Sequence, residues 1–367
     1  MSRTVPFYDF NKLHNPTFQE KINARFAEIV SKNGFVEGEY NFSFEEKFAK
    51  MQGAKHCLLL ANGTDALEIA LLAYGLKPGD RVAVTGITFY ASGEAILNMG
   101  MIPVYVDVIP NSGLMCPKSL ERVLEKYDIK AVMPVHIYGL PADMKTINEL
   151  CQTRKIPVIE DAAQGQGGFI HSGPIGSGGN LVTFSFYPTK NLGAFGDAGA
   201  ILTDDDDLAL IIKTIRNHGR SELELMGRNS RCDHLQAAVL DLKLETIEEE
   251  NKQRKQIAAW YHQALKDLPI NLVDASYLET SSWHLYPVFL GDAGIRAKAQ
   301  EAFKEAGIGC TPFYERSLNQ EKVFNKFSEG EWTIASKMAG TVLCLPMNPF
   351  ITEDDVAYVA ENLKKVL

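Results

Sequence analysis

Val182-Thr183-Phe184-Ser185-Phe186-Tyr187-Pro188-Thr189-Lys190, continued by Asn191-Leu192-Gly193-Ala194-Phe195-Gly196-Asp197-Ala198-Gly199, joins two strand-like runs through a lysine and a glycine-rich segment. The first run, Val182–Phe186, is short and apolar, and the second is Ala198–Thr203. Runs of the same kind lie upstream at Cys57–Leu60, Val82–Thr85, Val104–Val108, Ala131–His136 and Pro157–Glu160. Several are nearly continuous in apolar residues, as strands covered on both faces require. Helical patterns separate them. Thr64–Tyr74 follows the turn Asn62-Gly63, and Ser119–Lys126 and Met144–Lys155 are amphipathic. This alternation predicts an α/β domain with a mainly parallel central sheet.

The pattern changes after residue 232. Asp233–Leu265 reads as one long or broken helix, with Leu235, Ala238, Val239, Leu242 and Ile247 at helical spacing. Charges crowd Glu245–Lys255, as on a solvated face. A strand at Trp283–Phe289, a helix at Ile295–Ala306 and a last helix near Asp354–Val366 complete a smaller α+β unit. The expected division is 1–245, an N-terminal arm with the large α/β domain, and 246–367, the small C-terminal domain. Residues 1–35 read as the arm and a leading helix. No internal repeat or low-complexity tract is visible.

The formal net charge of −9 and the lack of a Lys/Arg-rich run argue against nucleic-acid binding. Apolar stretches are of strand length and broken by Gly, Pro or charge, so no membrane span is expected. The N-terminus lacks the apolar core of a signal peptide, and a cytoplasmic location is expected. The six cysteines are scattered with no CxxC pair, which fits free thiols in a reducing compartment. The eight histidines form no HExxH or HxH group, so metal catalysis is not expected, and His136 and His218 read as structural. The glycines between Gly165 and Gly179 do not form GxGxxG between a strand and a helix, which disfavours dinucleotide binding.

Four local features carry chemistry, and each alone has a blander reading. Lys190 lies just past a strand end, where ligands bind in open α/β sheets. An amine that can lose its charge there suits attachment to an aldehyde cofactor, although most lysines are surface charges. Glu160-Asp161-Ala162-Ala163-Gln164 ends another strand. Asp161 suits the carboxylate that pyridoxal chemistry needs at the pyridine nitrogen, and Gln164 could donate to the ring hydroxyl oxygen. A helix N-cap is the plainer reading of Asp161. Asn62-Gly63-Thr64-Asp65 opens a helix whose free N–H groups can cradle phosphate, with Gly63 allowing close approach and Thr64 adding a hydroxyl. Asp65 is expected to point away. Arg231, in Gly227-Arg228-Asn229-Ser230-Arg231, could grip a carboxylate with its planar fork.

Together these residues resemble the DegT/DnrJ/EryC1/StrS family of sugar aminotransferases. The matching stretches include ANGTDALEIAL, TGITFYASGEAI, VHIYGLPADM, IEDAAQ, FSFYPTKNLGAFGDAGAILT, IRNHGR, NSRCDHLQAAVL and VLCLPMNPFITEDDV, in the family's order over roughly residues 40 to 367. The resemblance implies the pyridoxal-phosphate transferase fold type I, like that of aspartate aminotransferase. It places Lys190 at the Schiff-base lysine for pyridoxal 5'-phosphate, Asp161 at the pyridine nitrogen and Gln164 at the ring hydroxyl. Phe89 falls where an aromatic ring stacks on the cofactor, and Gly63, Thr64 and Ser185 at phosphate contacts. Asn229 matches an asparagine that reaches the phosphate from a neighbouring subunit, which implies a homodimer with composite active sites. Arg231 and Tyr314 are carried over as substrate-side contacts.

The implied reaction moves an amino group from glutamate to a nucleotide-linked 3-keto or 4-keto deoxysugar, as in O-antigen, lipopolysaccharide or antibiotic sugar synthesis. One branch of the family has histidine in place of the lysine and dehydrates its sugar, and such an elimination is the alternative. Lys190 favours transamination. Many members carry a histidine after a proline-rich turn, which Thr311-Pro312-Phe313-Tyr314-Glu315-Arg316-Ser317-Leu318 lacks. The sugar, the nucleotide and the stereochemistry stay open.

Overall fold

Among the described residues nine strands precede residue 204: β1 His56–Leu60, β2 Arg81–Thr85, β3 Ile102–Val106, β4 Ile129–Met133, β5 Ile159–Asp161, β6 Phe169–Ile170, β7 Gly173–Pro174, β8 Leu181–Ser185 and β9 Gly199–Thr203. The computed structural model describes residues 3–221, 223–327 and 329–367. Strands β1-β9-β8-β5 form one ladder and β3-β2-β4 another. Parallel bridges Val132–Val158 and Val135–Asp161 join them into one sheet of order β3-β2-β4-β5-β8-β9-β1. Pairing is parallel except at β9, which runs against both neighbours. β6 and β7 form a short hairpin beside it.

Helices cover both faces, which is why the strands read as continuous apolar runs. Gly63–Ala73 packs Ala66, Leu67, Ile69, Ala70 and Leu71 against one face with almost no exposure. On the other, Phe44 and Phe48 of the helix Glu39–Gln52 meet Phe184 and Phe186 edge-on at ring distances of 5.0–5.3 Å. Among the described residues no helix is long and apolar enough to cross a membrane.

Two expected elements differ. The stretch Asp233–Leu265 is two helices, His234–Lys243 and Ile247–Leu265. Between them Glu245 and Thr246 donate their N–H groups to Leu242 and Lys243, three residues back, so the turn tightens and the axis breaks. The strand expected at Trp283–Phe289 begins only at Tyr286. Trp283 sits at φ 47, and the amides of Ser282 and Leu285 go instead to the carbonyls of Gly139 and Tyr138. β11 (Tyr286–Phe289) lies between β10 (Asn271–Leu272) and β12 (Val342–Leu345) in an antiparallel sheet. The helices Ala293–Glu305 and Glu353–Lys364 contact one another beside it. The arm follows its edge: Val5 pairs with Ile308, and Arg3 meets Asp354 and Asp355.

Candidate active site

The chemistry-bearing residues follow the carboxyl ends of sheet strands. Gly63 and Thr64 come after β1, Phe89 after β2, Asp161 and Gln164 at and after β5, and Ser185 and Lys190 at and after β8. Their backbone positions meet at one edge because these strands run the same way. A cavity of about 570 Å³ opens there, lined by Gly63, Thr64, Phe89, Asp161 and Gln164. Ser185, Lys190 and Tyr314 line it too.

The cradle is built by a helix start. The Asn62 side chain accepts the amide of Asp65 at 2.8 Å and caps the helix Gly63–Ala73. Gly63 and Thr64 stand in the first turn, where amides have no partner within the helix. The Asp65 carboxylate turns toward Arg228, 3.8 Å away. Gly63 has no substitute here, because a Cβ would lie 2.7 Å from the Ser185 Cβ. Gly63→Ala is therefore expected to push the helix start away from β8 and weaken cofactor binding by about ten- to a hundredfold, one to two lost hydrogen bonds. Absorbance titration of the apoprotein with pyridoxal phosphate measures this, and unchanged affinity would remove Gly63 from the cradle.

Asp161 is held rigidly. Its backbone N–H goes to the Pro134 carbonyl, and its own carbonyl accepts from His136. Ser92 Oγ donates to Oδ2 at 2.7 Å, and the Ala163 amide donates to Oδ1 at 3.1 Å. Because Ser92 donates to the acid, Thr88 Oγ1 donates to Ser92 Oγ, 2.8 Å away. Asp161 is not a helix N-cap; it is the last residue of β5.

Lys190 enters from a turn in which its amide donates to the Tyr187 carbonyl. The following segment is pinned by Lys243 Nζ to the Gly193 carbonyl at 2.7 Å and by Gln236 to the Phe195 amide at 2.9 Å. Burial pushes the Lys190 ammonium down to about 8, although Asp161 pulls it back up. At pH 7 about one such amine in ten is neutral, against fewer than about one in a thousand for an exposed lysine. The apoprotein should therefore bond the aldehyde of pyridoxal phosphate faster as pH rises, levelling above about 8. Stopped-flow absorbance across pH 6 to 10 measures it, and a midpoint near the ordinary lysine value would contradict the environment described.

Gln164 is oriented by two partners. Its Oε1 accepts the Tyr138 amide at 2.5 Å, and its Nε2 donates to Tyr314 Oη at 3.1 Å. Tyr138 holds φ 63, a left-handed conformation uncommon outside glycine, while delivering that amide. Phe89, 55% exposed and with its ring 5.9 Å from that of Tyr314, forms an open aromatic wall.

Two expected residues are not brought to this cavity. Asn229 is exposed and pairs with Asn217 across a bridge. Arg231 donates to Asn217 Oδ1 at 2.7 Å. Of the two histidines expected to be structural, His136 is buried between Glu160 and the Ala142 amide, whereas His218 is exposed and its backbone amide alone, among the described residues, finds a partner, the Arg228 carbonyl. Conversely, Tyr8, Ser92 and His284 were invisible as site residues. Ser92 follows Phe89 by one helical turn within TGITFYASGEAI, the one signal that points to it. Tyr8 and His284 reach the cavity wall only through the tertiary fold.

These groups fit pyridoxal phosphate. An amine drawn toward neutrality could hold its aldehyde, a fixed buried carboxylate its ring nitrogen, a helix start its phosphate, and Phe89 its ring face.

Residues 16–364 match the DegT/DnrJ/EryC1/StrS aminotransferase family. A Geobacillus stearothermophilus protein named "Pleiotropic regulatory protein" is 36% identical, over 98% of this chain and 97% of its own. The UDP-N-acetyl-3-dehydro-alpha-D-glucosamine 3-aminotransferase of Acidithiobacillus ferrooxidans is 34% identical, over 99% of this chain and 98% of its own. The solved structure of NtdA from Bacillus subtilis, with bound cofactor PMP, superposes with a TM-score of 0.90 at 30% identity. The match covers 99% of this chain and 85% of that one.

Proposed function

The chain belongs to the DegT/DnrJ/EryC1/StrS aminotransferase family, and from that premise we propose that it moves an amino group from glutamate to a nucleotide-linked keto-deoxysugar, aminating C3 or C4. It is a pyridoxal-phosphate aminotransferase. The observation that carries the reading is Lys190 and Asp161 lining one cavity beside the cradle of Gly63 and Thr64. A lysine at this position favours transamination over the dehydratase alternative.

When bound, the cofactor supplies an aldehyde and a ring that draws electrons from the substrate's reacting carbon. Lys190 would hold it covalently between turnovers. With its Nζ free, Lys190 would take the proton from the donor's α-carbon and return it later within the same half-reaction. Such positioned proton transfer contributes about 10²–10⁴-fold. Asp161, fixed by Ser92 and Ala163, would keep a proton on the ring nitrogen. Gln164 would meet the ring hydroxyl and Phe89 the ring face, while Ser185 would join Gly63 and Thr64 at the phosphate. Tyr314, held by Gln164, stands at the substrate side.

The proposed enzyme is a homodimer with composite sites. Lys190 is the only Lys or Arg lining the cavity among the described residues, while Asp161 and Asp197 are acids there. A phosphate and an anionic substrate thus call for donors beyond one chain. Asn229, exposed next to a loop bearing Met226 (92% exposed), is the proposed contribution to the neighbouring subunit's cradle. Arg231 is proposed on the substrate side. A screen of nucleotide-linked 3-keto and 4-keto sugars with glutamate tests the function. Formation of 2-oxoglutarate and an aminosugar is expected, and loss of a sugar hydroxyl without 2-oxoglutarate would replace transamination by elimination.

A further inference from the structure

His284 has no part in the chemistry above, yet it lines the cavity and is 96% buried in terms of its 4% exposure. Its environment fixes which ring nitrogen carries the proton. The chain of contacts starts at carbonyl oxygens, which only accept. Asn251 Nδ2 donates to the Gln166 carbonyl at 2.9 Å, so Asn251 Oδ1 is left as an acceptor. Asn191 Nδ2 donates to that Oδ1 at 3.0 Å and to the Ser282 carbonyl at 2.9 Å. Asn191 Oδ1 is therefore the atom that meets His284 Nδ1, at 3.1 Å. An amide oxygen accepts, so Nδ1 must donate. Nε2 is then a bare lone pair, with no hydrogen-bond partner among the described residues, on a ring that lines the cavity.

The ring also stays neutral. Burial holds its pKa well below the ordinary histidine value, and the charges of Lys190 and Arg254 press it further the same way. Lys190 faces it from the turn after β8 and Arg254 from the helix Ile247–Leu265, while Asp161 and Asp197 line the same cavity without reversing the shift.

We infer that His284 Nε2 is a built-in hydrogen-bond acceptor for a hydroxyl group of the sugar substrate, fixed by the relay Gln166–Asn251–Asn191. The proposal rests on the sugar-aminotransferase reading. The two substrates differ in what they could offer this lone pair. Glutamate's carboxylates only accept and would be repelled, and its one donor, the amino group, is the group given up in the transfer, whereas a keto-sugar presents free hydroxyls beside its carbonyl. His284 thereby acts in the sugar half-reaction and discriminates by hydroxyl position. A site that meets a hydroxyl with a fixed acceptor rejects analogues lacking it far better than an apolar pocket does.

Two measurements test this. Nitrogen-15 correlation spectra of histidine-labelled holoenzyme, with the His284 signals identified by their loss in His284→Gln, report the tautomer. The neutral Nδ1–H form is expected from pH 8 down to pH 6. An Nε2–H form, or a ring that protonates in that range, would overturn the proposal. The second compares half-reactions in His284→Leu by single-turnover absorbance, using glutamate and the keto-sugar the screen returns. The sugar half-reaction is expected to slow about tenfold or more beyond any slowing with glutamate, the worth of one lost hydrogen bond to a buried partner. Restoration in part by His284→Gln, whose side chain can accept, is expected, and equal slowing of both halves would overturn the role. A screen that returns no acceptor refutes the sugar reading and this role with it, while the tautomer still decides the relay.

Discussion

Lys190→Ala is expected to lower turnover by about 10²–10⁴-fold at the least, the range lost when a positioned acid–base group is removed. The loss should fall on chemistry more than on cofactor retention. Gly63 and Thr64, Asp161 and Gln164 remain in place, because Lys190 donates no side-chain hydrogen bond that organises the cavity among the described residues. The variant should therefore still take up pyridoxal phosphate, with the absorbance of a free aldehyde. Added small primary amines should restore part of the rate, because they replace the missing base. A variant that binds cofactor, folds and turns over within about tenfold of the parent would remove Lys190 from the mechanism.

Asp161→Asn is the second large effect. The carboxylate is 4% exposed and accepts from Ser92 Oγ and the Ala163 amide. The amide keeps the volume but removes the charge, and it leaves only one oxygen to accept where the carboxylate accepts from both Ser92 Oγ and the Ala163 amide. Loss of one preorganised electrostatic partner costs about 10²–10³ in rate. The proton on the cofactor ring nitrogen should also become easier to lose, so the bound-cofactor absorbance should titrate at lower pH than in the parent. Ser92→Ala, which frees Oδ2 but leaves the charge, should fall between the two. An Asp161→Asn enzyme with parental rate and parental absorbance titration would contradict the assigned role.

The elements that the sequence made legible are those whose environment is set by the sheet itself. Val182–Phe186 and Pro157–Glu160 are apolar on both faces because helices cover both, and so the strand ends carrying Ser185 and Asp161 could be placed. Gly63 was legible because a helix start after a strand needs it, and the reason it must be glycine, Ser185 across the gap, emerged only in three dimensions. The strand expected at Trp283 failed because Trp283 takes a left-handed conformation that no local pattern encodes. The same irregular stretch turns His284 into the cavity wall, so the misplaced strand and the missed site residue share one cause. The break at Leu244–Thr246 was obscured because both helices keep a helical period across it. Tyr8 arrives from an arm anchored through Val5 to Ile308, roughly three hundred residues away, which no spacing argument reaches.

Borohydride reduction of the holoenzyme followed by peptide mapping tests the assignment of the active-site lysine most directly. A pyridoxyl group on Lys190, within Tyr187-Pro188-Thr189-Lys190-Asn191, is the result expected. A pyridoxyl group on Lys243, the other lysine whose ammonium burial pushes down to about 8, or on no lysine, would contradict it.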